Sequence, residues 1–404
     1  MNEVPESDPS RPSANAHTPI MFRPSVGIEP VPTRSEMNFV EYADAFPVHR
    51  HRRCGDFKDS VKQALAEFGD KYQALIDRSQ TSWMAGLMCF GFEDTDKDES
   101  PIEFIIQCPN VQRAAQDMMG ANTVSSFPLR IVPGRFVKYM ARSPRNAEYH
   151  RPLRVGCSIG KHGQEHSATI GCFFRGLHSD GSQAIYGLTC AHVAKTGDFI
   201  QQPSRPDADA IQRNLEYKNY DSEQKARIQA NDFDIGSVTV VDATADMALV
   251  RLNDGLDLPN NIMGHISELA DPHRDLDPLP DVADLQWTRI GKLDAIQQDQ
   301  FGDLVFKRGR STNITEGCWH EVEYVGRFQS DDNAKIWRLV VRSPQFAAAG
   351  DSGAAVGCFD RDGNGTILGV LHGADMQYEA SYYVVGLDPF VTFQEEKNLR
   401  LQLL

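Results

Sequence analysis

The chain has 404 residues, 41% hydrophobic and 24% charged, a balance typical of a globular protein long enough for two sizeable cores. Its net charge of −15, from 41 basic and 56 acidic residues, argues against a broad nucleic-acid surface and against an anionic-membrane surface. No stretch approaches the apolar run a membrane span needs, and the opening residues Met1 to Ser7 lack a basic-then-apolar signal pattern.

Residues 1–37 are rich in Pro, Ser, Glu and Asn and are expected to be a disordered tail. His49-Arg50-His51-Arg52-Arg53 reads as a solvated basic patch. Residues 38–145 read as a small α+β domain. Within it, Asp59 to Ile76 carries apolar residues at the spacing of one helix face. Trp83 to Phe92, Ile102 to Ile106 and Phe127 to Val132 read as strands, and Val111 to Met119 as a short helix. The acidic stretch Glu93 to Ser100 lacks the Gly and terminal Glu of a calcium loop and reads as solvated. No catalytic set is visible here, so a regulatory or docking role stands open. Ser143 to Pro152 is polar with two prolines and reads as a linker.

Residues 153–404 form the second unit. Ala168 to Arg175 and Ile185 to Thr189 read as strands joined by the turn Ser179-Asp180-Gly181-Ser182. The buried strand at Tyr186 to Cys190 ends in a turn bearing His192. Ala208 to Lys218 and Ser222 to Ala230 look helical and polar, an insert outside the sheets. Asp246 opens the apolar strand Met247 to Leu252, which would place its carboxylate at a core edge where it can accept an imidazole N–H. Asp234 precedes an apolar strand too and is its rival, while Asp242 reads as a turn residue. Gly255 to Asp284 reads as a surface loop, and Asp388 to Leu401 as a closing helix.

Gly350-Asp351-Ser352-Gly353 combines a hydroxyl with two glycines. A serine needs a base to act as a nucleophile, and a glycine turn can aim backbone N–H groups at an oxyanion. The order His192, Asp246, Ser352 is one of the known orders of the catalytic triad.

These residues carry a resemblance. Leu188-Thr189-Cys190-Ala191-His192 resembles the Leu-Thr-Ala-Ala-His motif of chymotrypsin-like serine proteases, and Asp246-Met247-Ala248-Leu249-Val250 resembles their Asp-Ile-Ala-Leu-Leu. Gly350 to Gly353 matches their nucleophile motif. Gly309-Arg310-Ser311-Thr312 onward is similar to the Gly-Arg-Thr-Thr strand of the streptogrisin and alpha-lytic group. Gln202-Pro203-Ser204 and the layout resemble a fungal intracellular trypsin-like group. The resemblance runs from about Val155 to the C-terminus.

It implies an all-β double β-barrel and a serine endopeptidase acting on protein or peptide substrates. His192 would be the base, Asp246 its orienting acid and Ser352 the nucleophile. Gly350 and Ser352 would supply the oxyanion N–H groups. Phe346, Ala347 and Ala348 would form the pocket base, and His372-Gly373 the wall that pairs with substrate backbone. With no acid at Phe346, a preference for Lys or Arg is not expected. Ala354 stands where active relatives carry Gly or Ser, so a silent scaffold that binds partners through the peptide groove is the alternative. Asp351 would either be satisfied internally or pair with a new N-terminus at Val155.

Eight cysteines are scattered with no Cys-x-x-Cys pair, so neither a zinc site nor any other cofactor is expected. Val193 stands where secreted relatives place a disulfide cysteine, and Cys190 reads as a buried thiol. An intracellular, cytoplasmic setting follows as an expectation.

Overall fold

The computed structural model describes residues 45–46, 54–90, 102–118, 121–134, 136–138, 146–217, 219–243, 245–257, 259–265, 284–291, 304–328, 335–341, 346–360, 362–375, 382–386 and 399–404. The expected tail, the basic patch, the acidic stretch and most of the loop before Asp284 lie outside them.

Two large sheets organise the described residues. The first runs in the order Leu399–Leu403, Cys172–His178, Gln183–Cys190, Met247–Leu252, Asp234–Asp242, Phe199–Gln201, Ser158–Lys161 and Ala168–Thr169. Its neighbours are antiparallel throughout. The second is centred on Asn364–Asp375, Ala355–Phe359, Leu304–Gly309 and Asn313–Arg327. Both sheets curl, and together they make the chymotrypsin-like double β-barrel that the resemblance implies. Ile159, Phe173, Leu188, Val250, Phe306 and Val370 belong to one core that both sheets share.

The N-terminal unit has its own core, in which Ala64, Phe68 and Ile76 of the helices meet Trp83, Phe104 and Ile106 of the strands. The helical stretch divides at Tyr72 into Cys54–Lys71 and Gln73–Ser79. Its strands Trp83–Phe90, Ile102–Cys108 and Phe127–Pro133 do not form a separate layer. Trp83–Phe90 pairs antiparallel with Asn313–Arg327, which makes the unit's sheet continuous with the second barrel sheet. Close approach enforces this joint, because a Cβ on Gly86 would lie 2.7 Å from the Tyr324 ring. Tyr324 also donates its hydroxyl to the Leu87 carbonyl at 2.9 Å. A second tie is the short strand Phe136–Lys138, which pairs antiparallel with Gly373, Ala374 and Asp375.

Two segments depart from the sequence reading. Residues 146–152 do not span solvent as a linker. Asn146, Tyr149 and His150 are buried, and Asn146 donates its backbone N–H to the Arg310 carbonyl at 2.6 Å and its side-chain amide to the Gly309 carbonyl at 2.7 Å. Polar composition does not exclude such burial, because Asn146 finds its partners inside the protein. The C-terminus is the strand Leu399–Leu403, not the end of a helix. Leu399, Leu401 and Leu403 pack on the core while Arg400 and Gln402 face outward, a period of two that suits a strand.

The insert forms the helices Arg205–Arg213 and Ser222–Gln229. They enclose a small core of Ala208, Ile211, Ile228 and Phe233 with Tyr149.

Candidate active site

Strand register builds the first half of the site. Cys190 pairs with Met247, so the residues just beyond, Ala191 and His192, meet Asp246 at one end of the first sheet. Asp246 grips this turn three times. Its carbonyl accepts the Ala191 N–H at 3.0 Å, its Oδ1 accepts the His192 N–H at 2.9 Å, and its Oδ2 lies 2.7 Å from His192 Nδ1. Asp246 has φ +47, a left-handed backbone that a short polar residue can adopt at local cost. Burial works to raise its pKa, but the imidazoles of His192 and His372 and their hydrogen bonds outweigh burial and hold the carboxyl well below the usual carboxylate range.

The second half is the turn at Gly350 to Gly353. Gly350 and Gly353 have φ +98 and +95, where a side chain is strained. A Cβ on Gly353 would also lie 2.3 Å from the Thr169 carbonyl and 2.4 Å from Thr189 Oγ1. This turn is fastened to the first sheet, since Thr169 donates its N–H to the Ser352 carbonyl at 2.9 Å and its hydroxyl to the Gly350 carbonyl at 2.8 Å. Ser352 is buried and donates its hydroxyl to the His372 carbonyl at 2.8 Å.

His372 therefore touches both halves. Its backbone holds Ser352, and its Nδ1 makes a short hydrogen bond to the same Oδ2 of Asp246 that His192 uses. The ring is fully buried, edge-on to His192 with centroids 4.8 Å apart, and packed against Phe328 and Trp337 at 4.5 and 4.6 Å. His192 Nε2 is buried without a hydrogen-bond partner.

A buried polar frame holds the Gly350 to Gly353 turn. Asp351 accepts from Lys307 Nζ at 2.9 Å, Thr312 Oγ1 at 2.7 Å, the Ser311 N–H at 2.7 Å and the Ala348 N–H at 3.0 Å. Its carboxylate is thus satisfied internally, while Val155 is buried within the core. Burial pushes the Lys307 pKa down, against the opposing pull of Asp351. One turn further, Arg310 presents Nη2 and Nε to the two carboxylate oxygens of Asp207 at 2.5 and 2.7 Å. Ser158 and Ser204 donate hydroxyls to the same aspartate.

The remaining expected residues fall as follows. Phe346 is in the second barrel's core with Trp319 and Val340, and its carbonyl accepts from Thr315 Oγ1 at 2.6 Å. Ala347 shares that core, and Ala348 is half-buried beside Asp351. Gly373 is paired on both sides, with Lys138 of Phe136–Lys138 and with Tyr383 of Tyr382–Gly386. His372 turns its ring to Asp246. Asp234 pairs with the exposed His162 at 2.7 Å, and Asp242 caps its own turn by accepting the Ala245 N–H. The sequence reading missed Asp207 as the partner of Arg310. Helical polarity was its only signal, and that does not show which way a carboxylate points.

Comparison with known proteins adds the following. The model of Peptidase family S64 matches residues 235–381. No curated protein matches. Among solved structures, Thermobifida fusca Protease A is 13% identical over 62% of this chain and 99% of its own, with TM-score 0.37. The Nocardiopsis protease is 14% identical over 62% and 100%, also with TM-score 0.37. The Rv3671c protease from M. tuberculosis is 17% identical over 65% and 91%, with TM-score 0.25.

Proposed function

We propose that this protein is a serine endopeptidase that cleaves protein or peptide substrates through His192, Asp246 and Ser352. The observation that carries the reading is the double hold of Asp246 on His192, at the ring Nδ1 and at the backbone N–H. That hold fixes the tautomer with its proton on Nδ1 and leaves Nε2 as the base. In the reaction the Ser352 hydroxyl turns from the His372 carbonyl to His192 Nε2, gives up its proton and attacks the peptide carbonyl. The N–H groups of Gly350 and Ser352 receive the oxyanion. The imidazolium returns the proton to the leaving amine, and water then releases the acyl group from Ser352 by the same route.

The Phe136–Lys138 strand pairs with Gly373, Ala374 and Asp375, at the His372-Gly373 wall where the resemblance places substrate backbone. This supports a regulatory N-terminal unit, one that must yield this pairing before an extended peptide can pair there. Cys108, Cys157, Cys172, Cys190, Cys318 and Cys358 are buried and not joined in disulfides, which suits an enzyme of the reducing cytoplasm. With Phe346 where the resemblance puts the pocket base, a small or medium apolar side chain is the preferred residue at the cleavage position.

Hydrolysis of a fluorogenic peptide library by the full chain tests the proposal. Cleavage that Ser352→Ala abolishes supports it. Peptide binding without cleavage in either form would favour the silent scaffold.

A further inference from the structure

Two residues outside the proposed catalytic set meet at one point. Cys190 stands where Leu-Thr-Ala-Ala-His has its first alanine, and His372 turns its ring inward. One ligand-type atom from each of Cys190, His192, Asp246 and His372 lies within 4.8 Å of the other three. Three of these residues are buried and His192 is nearly so. They come from three separate places, the end of Gln183–Cys190, the start of Met247–Leu252 and the middle of Asn364–Asp375, so no Cys-x-x-Cys spacing announces them.

The geometry points to a reversible Zn²⁺ site made of Cys190, His192, Asp246 and His372. One thiolate, two imidazoles and one carboxylate are a donor set zinc accepts. Bonds of about 2.0–2.3 Å place tetrahedral ligands roughly 3.3–3.8 Å apart, so the four atoms need shifts of under about 1 Å. His192 Nδ1 and Asp246 Oδ2 are already closer than this, at 2.7 Å, and would part slightly as the ion enters.

The protons balance simply. Cys190 gives its thiol proton to solvent and exchanges its hydrogen bond with the Leu371 carbonyl, 3.2 Å away, for the metal. Each imidazole binds through Nδ1 and carries its proton on Nε2 instead. His192 Nε2 then has no lone pair to take the Ser352 proton. Zinc therefore silences the nucleophile without touching it, and removing the ion restores the base. This consequence rests on the reading of His192 as the base, whereas the binding itself does not.

The test uses the full chain freed of metal. Equilibrium dialysis against micromolar Zn²⁺ should give one ion per chain, and Co²⁺ in its place should show a thiolate-to-metal charge-transfer band. Cys190→Ala, which installs the residue of the resembled motif, should remove the band and weaken Zn²⁺ binding about 100-fold. His372→Asn, which keeps a donor for Asp246, should weaken it similarly. Zn²⁺ should block fluorophosphonate labelling of the wild-type chain, and a chelator should restore it. The site is overturned if no ion binds at micromolar Zn²⁺, or if both variants bind as the wild type does. Binding without labelling under any condition would sink the peptidase reading and leave the metal site standing.

Discussion

Lys307 Nζ lies 2.9 Å from Asp351 Oδ2 with both side chains fully buried, one residue before the proposed nucleophile. A buried pair is costly to break from one side, because the remaining charge is stranded. Lys307→Met should therefore lower stability by about 3–5 kcal/mol, read from urea unfolding. The double variant Lys307→Met, Asp351→Asn should recover part of that loss, since it strands no charge. A single variant as stable as the wild type would show that Thr312, Ser311 and Ala348 suffice for Asp351.

Arg310 and Asp207 join the insert to the Gly350 to Gly353 turn. Arg310 donates its backbone N–H to Thr169 Oγ1, whose hydroxyl binds the Gly350 carbonyl. Ser311 binds the Ala349 carbonyl. Asp207→Asn keeps the shape but loses the charge, so Arg310 is held less firmly. The peptidase reading predicts a fall in kcat of about tenfold with KM little changed, because the variant disturbs the oxyanion turn and not the peptide edge. A rise in KM alone would place the insert at the substrate instead.

His150 sets a pH dependence. Burial, followed by the charges of Arg154, Arg308 and Arg151, pushes its pKa down from 6.5 to about 3. The folded protein holds it neutral, whereas the unfolded chain takes up a proton below about pH 6.5. Stability is thus lost as the pH falls from 6.5 toward 3. Between pH 7 and 5 this one group accounts for about 2 kcal/mol. His150→Gln should flatten the pH dependence of the urea midpoint over that range. An unchanged slope would mean that His150 is not held neutral in the fold.

The Phe136–Lys138 strand offers a fourth handle. Val137 faces Ala374 in the antiparallel register. Proline at Val137 removes a donor and disfavours the pairing. If the strand competes with substrate, Val137→Pro should lower the KM for an extended peptide about tenfold with kcat unchanged. A synthetic peptide of residues 134–140 should then inhibit the variant competitively. A KM that does not move would assign the strand a structural role only.

Much of this site is legible in the sequence because its motifs are local. His192 follows its strand directly, Asp246 opens the next one, and the glycines at 350 and 353 mark the turn. What could not be read depends on distant contacts. Arg310 sits in a quoted motif and Lys307 just before it, yet nothing local says that Lys307 would take Asp351 and Arg310 would take Asp207. The continuity of the N-terminal sheet with the barrel is equally hidden, since edge pairing leaves no mark on either strand's pattern. Leu399 to Leu403 shows the reverse lesson. Its period of two was present, but a helix was expected across it.

The central claim is that Asp246, His192 and Ser352 act as one chemical unit. Intact-mass measurement after exposure to a fluorophosphonate tests it most directly. One adduct per wild-type chain is expected, located on Ser352, with labelling slowed by orders of magnitude in His192→Ala and Asp246→Asn. No adduct on metal-free wild type, or an adduct on Ser352 that forms at the same rate without His192, would contradict it.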